Sequence, residues 1–224
     1  TKYFIKIFKK KKNKYLFYNK QKQILVVKDK PLFTFKKTHA NLVLNQIASK
    51  KKKNQYALIN LTYFSCALSI DDKKKIIEKL LDFLKNDLIL FRFFEDEELK
   101  NLMNKKLNLY VENFSKTFKT KLSLVNHLHS SLKKLNTKNF KKFLLELDVF
   151  LLSCIYKLTC LTKSVILSYF FIIKKIDYKK LFELTNIENT FQQKRWGYVD
   201  EQKKIDLESI EILKNISIFF KNIN

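Results

Sequence analysis

One glycine, Gly197, serves a chain of 224 residues. A glycine-rich loop that cradles phosphate through its backbone amides therefore cannot be built here in recognisable form. No nucleophile elbow, zinc-protease helix or redox cysteine pair is present either. No recognisable catalytic constellation is present, which favours a binding protein. The one glycine follows a helical pattern over residues 186–196, where the freedom of glycine suits a left-handed helix end. In so glycine-poor a chain, its presence there signals a backbone requirement.

The formal net charge is +25, and the basic excess is almost all lysine, because Arg92 and Arg195 are the only arginines. Such a charge raises nucleic acid or anionic lipid as partners. Its distribution argues otherwise. Runs such as Lys9–Lys12 and Lys50–Lys53 fall in loops or helix ends, and other lysines sit singly on helix faces opposite the apolar residues. Readers of nucleic acid favour arginine for bidentate contacts. A solvated lysine surface is the preferred reading, and no specific nucleic-acid partner is expected. Cys66, Cys154 and Cys160 fit no metal spacing and lie in apolar contexts, as buried thiols in a reducing compartment do. Residues 149–173 are strongly apolar, but Lys157 and Lys163 interrupt them. A span needs about 20 apolar residues, so buried helices are expected rather than a membrane span.

Alternation marks strands at Tyr3–Phe8, Tyr15–Tyr18 and Gln23–Val27, with a hairpin turn at Asn19–Lys22 and Pro31 near a strand edge. Thr38 is placed to cap a helix carrying Leu42, Val43, Ile47 and Ala48 on one face. Tyr56–Phe64 is a further apolar segment joining the lobes. Ser69, Asp71 and Asp72 start a helix with Ile76, Ile77, Leu80, Leu81 and Leu84 on one face. Leu88–Phe94 reads as a short extended run. Glu95–Glu98 opens a helix with Leu99, Leu102, Met103 and Leu107. Residues 122–128 alternate weakly. One helix is expected from Thr137 to about Tyr156 and another from Thr162 to about Ile173. Asp177 caps Tyr178–Leu184, a helix over Asn186–Trp196 follows, and Asp200 starts the last. The fold class is α+β: a small β-rich N-terminal lobe with one helix (residues 1–60), then a larger mainly helical lobe (61–224).

His127 and His129 form an H-x-H pair, but no neighbouring ligand completes a metal site. The Glu95–Glu98 cluster lacks the spaced ligands and turn glycine of a calcium loop, and an acidic first helical turn explains it. No metal or cofactor is expected. Ser164, without a base beside it, suits a structural or capping role. More informative is the segment from Ile187 to Asp200. Glu188, Phe191, Gln192 and Trp196 do not form one plain core stripe; an acid, two aromatics and an amide share about two turns.

This segment resembles the C-terminal signature of the ATP synthase assembly chaperone family Atp-twelve, also called mitochondrial assembly factor two, which reads approximately L-[ED]-x-x-[FY]-Q-x-x-x-W-G-x-x-[ED]. Ile187, Glu188, Phe191, Gln192, Trp196, Gly197 and Asp200 match it. A second block runs Leu80-Leu81-x-Phe83-x-x-Asn86-Asp87-Leu88-Ile89-Leu90-Phe91-Arg92, similar to the family's L-L-x-[YF]-x-x-T-D-L-L-C-[YF]-R. A third joins Leu147-Asp148-Val149-Phe150 to the helix ending Leu161-Thr162-Lys163-Ser164-Val165. The blocks keep the family's order and cover most of the chain. The chain departs from the family at Gln46-Ile47, where Glu-Trp is usual, in lacking a Trp-Asp-Pro element near Leu107–Leu109, at His127, where glycine is common, and at Lys163, where glycine precedes the serine.

The resemblance implies a non-catalytic chaperone that binds the free alpha subunit of the ATP synthase head and prevents its aggregation until beta subunits displace it. It implies Glu188, Phe191, Gln192, Trp196 and Asp200 as the partner-binding neighbourhood, and Asp87 and Arg92 as fold-fixing residues joined in a buried pair. A monomer is expected. With no transit peptide recognised, a bacterial cytoplasm is favoured over a mitochondrial matrix. The alternative is a lysine-rich nucleic-acid- or ribosome-associated protein.

Overall fold

The computed structural model describes residues 3–10, 12–49, 53–126 and 135–223. His127 and His129 lie outside them, as do most residues of the 50–53 lysine run. The architecture is α+β as expected: short strands near the N-terminus, then mostly helix. Two compact units divide the chain. One takes residues 1–74, 147–154 and 214–224; the other takes 75–146 and 155–213.

In the first unit, β1 (Tyr3–Lys10) and β2 (Lys12–Asn19) form an antiparallel hairpin with Tyr3 opposite Asn19. β5 (Phe33–Thr34) joins the other edge of β2. β3 (Val26–Val27) and β4 (Lys30–Pro31) make a separate small hairpin, turning through Lys28 and Asp29 at φ 46° and 61°. Asn-Gly is the usual solution for such a turn, and this chain builds it from other residues. The expected turn at Asn19–Lys22 is present, closed by the Asn19 amide donating to the Gln23 carbonyl.

Thr38 does not cap the following helix. α1 (Lys37–Ala48) starts two residues earlier than that cap would give, after Lys36, without a side-chain cap. Its inner face is His39, Ala40 and Val43, whereas Leu42 and Ala48 are exposed. His39 lies 2.9 Å from the Thr62 hydroxyl of α2 (Leu58–Ala67). Its ring meets Phe150 and Phe219 edge-on at 5.9 and 5.6 Å, while Phe33 and Phe35 each reach Phe150 at 5.5 Å. Burial lowers the His39 pKa to about 4, so the imidazole is neutral at pH 7.

α3 (Ile70–Lys85) begins with a reciprocal cap. The Ser69 amide donates to Asp72, and the Asp72 amide donates to the Ser69 hydroxyl. All five apolar residues expected on its inner face are buried.

In the second unit, Leu88–Leu90 is a 3₁₀ turn rather than an extended run; only Phe91 bridges, in parallel, to Val125. α4 (Glu97–Phe118) is capped by Asp96. The single helix expected from Thr137 is two, α5 (Lys138–Glu146) and α6 (Val149–Thr162). Asp148 breaks them apart, because its carboxylate accepts from the Phe150 and Leu151 amides and starts a new helix. Thr162 ends α6 instead of opening α7 (Val165–Ile172), every residue of which is buried. Phe114, Phe118, Phe140 and Tyr169 interlock around α4, α5 and α7 with centroids 4.7–5.5 Å apart. α8 (Tyr178–Thr185) is capped by Asp177, as expected. α9 (Ile187–Trp196) and α10 (Asp200–Ile223) follow. Among the described residues no helix is long and apolar enough to cross a membrane.

Candidate functional site

α9 buries one side chain deeply, Ile187. The other residues of its first three turns are exposed or half-buried, so this helix is more surface than core. Glu188 is exposed in the first turn, near the positive end of the helix dipole, and accepts from Gln192 at 3.2 Å. Phe191 is half-buried. Trp196, on the last turn, is 73% exposed. A soluble surface seldom leaves so large a ring in water.

A special turn follows Trp196 directly. Gly197 adopts φ 93° and ψ 162°. That is not the left-handed helical conformation expected for it. It lies in an extended region of positive φ open essentially to glycine alone. A Cβ there would meet nothing within 4 Å, so the requirement is conformational and not steric. Beyond it, Asp206 accepts from Gln193 at 3.2 Å, Tyr198 at 2.7 Å and Gln202 at 2.7 Å. This carboxylate ties α9, the turn and α10 together. Its hydrogen bond also raises the pKa of the Tyr198 phenol. Tyr198 and Val199 remain exposed, and Asp200 pairs with Lys203 at 2.9 Å on an open surface.

Depressions among the described residues take in parts of α9. A groove of about 580 Å³ is lined by Leu102, Ile187, Phe191 and the charged Glu98, Lys106 and Arg195. A smaller one, about 270 Å³, is mostly apolar and lined by Leu88, Phe91, Phe93, Leu184 and Glu188. Phe93 is 53% exposed. Glu188 thus sits beside exposed aromatic surface.

The structure brings Glu188, Phe191, Gln192 and Trp196 onto one helix and sets Asp200 at the start of the next. It adds residues that sequence reasoning missed: Phe91 and Phe93, Tyr198, Asp206, and Arg195, whose guanidinium pairs with Asp96. The only trace of that last contact in the sequence was a scarce arginine and a run of acids. The arrangement offers apolar contact and hydrogen-bond acceptors. Among the described residues no three His, Cys, Asp or Glu side chains converge to hold a metal ion.

Asp87 and Arg92 are both buried, but no ion pair joins them among the described residues; each is satisfied separately. Asp87 accepts from the Ile89 and Ile166 amides at 3.2 and 2.9 Å, and also from Ser164. Burial pushes its carboxyl up to about 6, against the pull of these donors. Arg92 donates to the Ile89 and Phe91 carbonyls and to Asn104 and Asn108. With carbonyl and amide oxygens meeting its donors, the guanidinium needs no carboxylate. Ser164 caps α7 through the Leu167 amide.

Comparison with solved structures identifies this architecture. The crystal structure of Atp12 from Paracoccus denitrificans matches with a TM-score of 0.80 over 98% of this chain and 96% of its own, at 17% identity. The fold is that of Atp12. A point mutant of the same Paracoccus protein, Atp12p, gives the same score over 95% of its chain. The Atu1473 protein of Agrobacterium tumefaciens, described as a putative chaperone, matches this chain with a TM-score of 0.79 at 15% identity, over 84% of its own length. No family model and no curated protein matches the sequence. The Atp12 fold agrees with the resemblance carried by the three sequence blocks.

Proposed function

We propose that this protein is an assembly chaperone of ATP synthase that binds the free alpha subunit of the catalytic head through the α9 surface. The Atp12 fold and the three sequence blocks support the reading. The observation that carries it is the exposed Trp196 on a helix that also bears Glu188 and Phe191. An unassembled subunit exposes the surface its neighbour will later cover, and such a patch invites aggregation. Trp196 and Phe191 supply apolar cover; Glu188, Gln192 and Asp200 supply acceptors for basic or amide groups. Burying the exposed part of a tryptophan contributes about 3–4 kcal/mol before ordering costs. That makes Trp196 an anchor to which the rest of the docked surface adds, and beta displaces the chaperone by covering a full subunit interface. No bond is made or broken in this cycle, no cofactor is used, and a monomer suffices. The compartment in this reading is the bacterial cytoplasm or the mitochondrial matrix.

The test is co-expression with the cognate alpha subunit, scoring soluble alpha. The parent protein raises it, and Glu188→Lys does not. Glu188 is exposed and its bonds are local, so the variant stays folded with a loss of about 1 kcal/mol from the helix dipole. Normal protection by Glu188→Lys would remove this assignment.

A further inference from the structure

Arg195 is held differently from most of the paired lysines described, although Lys106 and Lys141 also reach distant acids, Glu183 and Glu78. Most paired lysines here reach an acid three residues away on the same helix, as Lys74, Lys85 and Lys180 do. Arg195 instead reaches an acid 99 positions away, bonding Asp96, with Glu98 at 3.8 Å. Its guanidinium carbon also lies 5.1 Å from the centre of the Phe191 ring. One hydrogen-bonded carboxylate, a second within ion-pair reach and a ring at the face suit a planar cation that both donates and stacks. A lysine ammonium would use this set less fully.

The surroundings suit an exchangeable ligand. Arg195 is about half exposed, and ion pairs open to solvent hold weakly. The larger groove continues from this corner past Leu102 and Lys106. On a molecule of net charge +25, the acids Asp96 and Glu98 are the attractive groups a basic client residue meets at this corner, with Lys106 and Lys194 on the same groove.

We infer that Asp96, Glu98 and the face of Phe191 form a guanidinium receptor, filled by Arg195 in the free protein and taken over by an arginine side chain of the client on docking. The client's identity rests on the chaperone reading; the receptor does not. Exchange leaves the number of ion pairs unchanged, and the displaced Arg195, already half exposed, is released to water rather than buried unpaired.

The test uses the full-length protein and N-acetyl-arginine amide, with N-acetyl-lysine amide as control, followed by NMR shifts and Trp196 fluorescence. Arg195→Ala binds the arginine probe about two- to sixfold more tightly than the parent, the factor by which a tethered competitor held by an exposed ion pair occupies the site. It prefers arginine to lysine severalfold. Adding Asp96→Asn, which retains a good helix cap, abolishes the gain. Equal affinity of parent and variant, or of the two probes, overturns the proposal. So does a loss of stability with no gain in affinity, which would make Arg195 a strap alone. Should Arg195→Ala not fold, Arg195→Gln keeps the side-chain stem and is judged by the same comparisons. No alpha subunit enters this assay, so its failure leaves the co-expression result standing, and the reverse holds.

Discussion

α4 and α9 both end abruptly, and they end in different ways. α4 stops at Lys119, which takes φ 48° and ψ 44°, the left-handed helical conformation. α9 stops at Gly197, at φ 93° and ψ 162°. Lysine can adopt the first at a cost of roughly 1–2 kcal/mol. The second is closed to side chains in practice. Lysine also occupies positive φ just past α6, at Lys163, and just past α7, at Lys174. Among the described residues, then, a chain with one glycine fills ordinary left-handed turns with lysine and keeps glycine where nothing else fits. That place is the turn behind Trp196.

The contrast can be broken by exchanging the residue types. Gly197→Ala, although its methyl would meet open space, is expected to cost about 2–3 kcal/mol in backbone strain. Urea unfolding measures this, and altered acrylamide quenching of Trp196 would show that the turn sets the ring's exposure. An unchanged midpoint would mean that the turn relaxes freely. Asp206→Ala asks whether side chains share the task; losing its three donors should cost about 1.5 kcal/mol after allowance for partial exposure. Lys119→Gly should stabilise by about 1 kcal/mol, because only strain is relieved. Lys163→Gly should do the same, restoring the glycine usual before this serine in the resembling family. Lys119→Asn should gain only a few tenths of a kcal/mol, since asparagine tolerates the conformation better than lysine but not as well as glycine. If either glycine variant is destabilised, lysine holds these ends for a reason other than loss of glycine.

Local signals in the sequence were reliable where a cap and an apolar face agreed, as at Ser69–Leu84 and Asp177–Leu184. They failed where periodicity ran through a break. Phe140, Leu144 and Phe150 are all buried, as one continuous helical face would be, yet Asp148 restarts the helix, and an N-cap just before an apolar run was the available sign. The run Leu88–Phe94 could not be typed alone, because short apolar stretches suit strand or helix equally. It becomes a 3₁₀ turn because Asp87 accepts from Ile89 as well as from Ile166, far along the chain. The expected Asp87–Arg92 pair failed for a related reason: opposite charges near in sequence need not meet when backbone groups satisfy both. At the candidate site, α9 and its glycine stop were legible. Phe93, Asp206 and the Arg195–Asp96 link were not, since each acquires meaning only from residues brought near by tertiary folding.

The His39 cluster has a consequence for biosynthesis. Its imidazole, on α1, completes its packing against Phe219, on α10. A nascent polypeptide emerging in order can form the β1–β2 hairpin and α1 early, but this aromatic pocket stays unsealed until α10 has followed. During that interval the protein exposes core of its own, in the same predicament as the orphan subunit it is proposed to shelter.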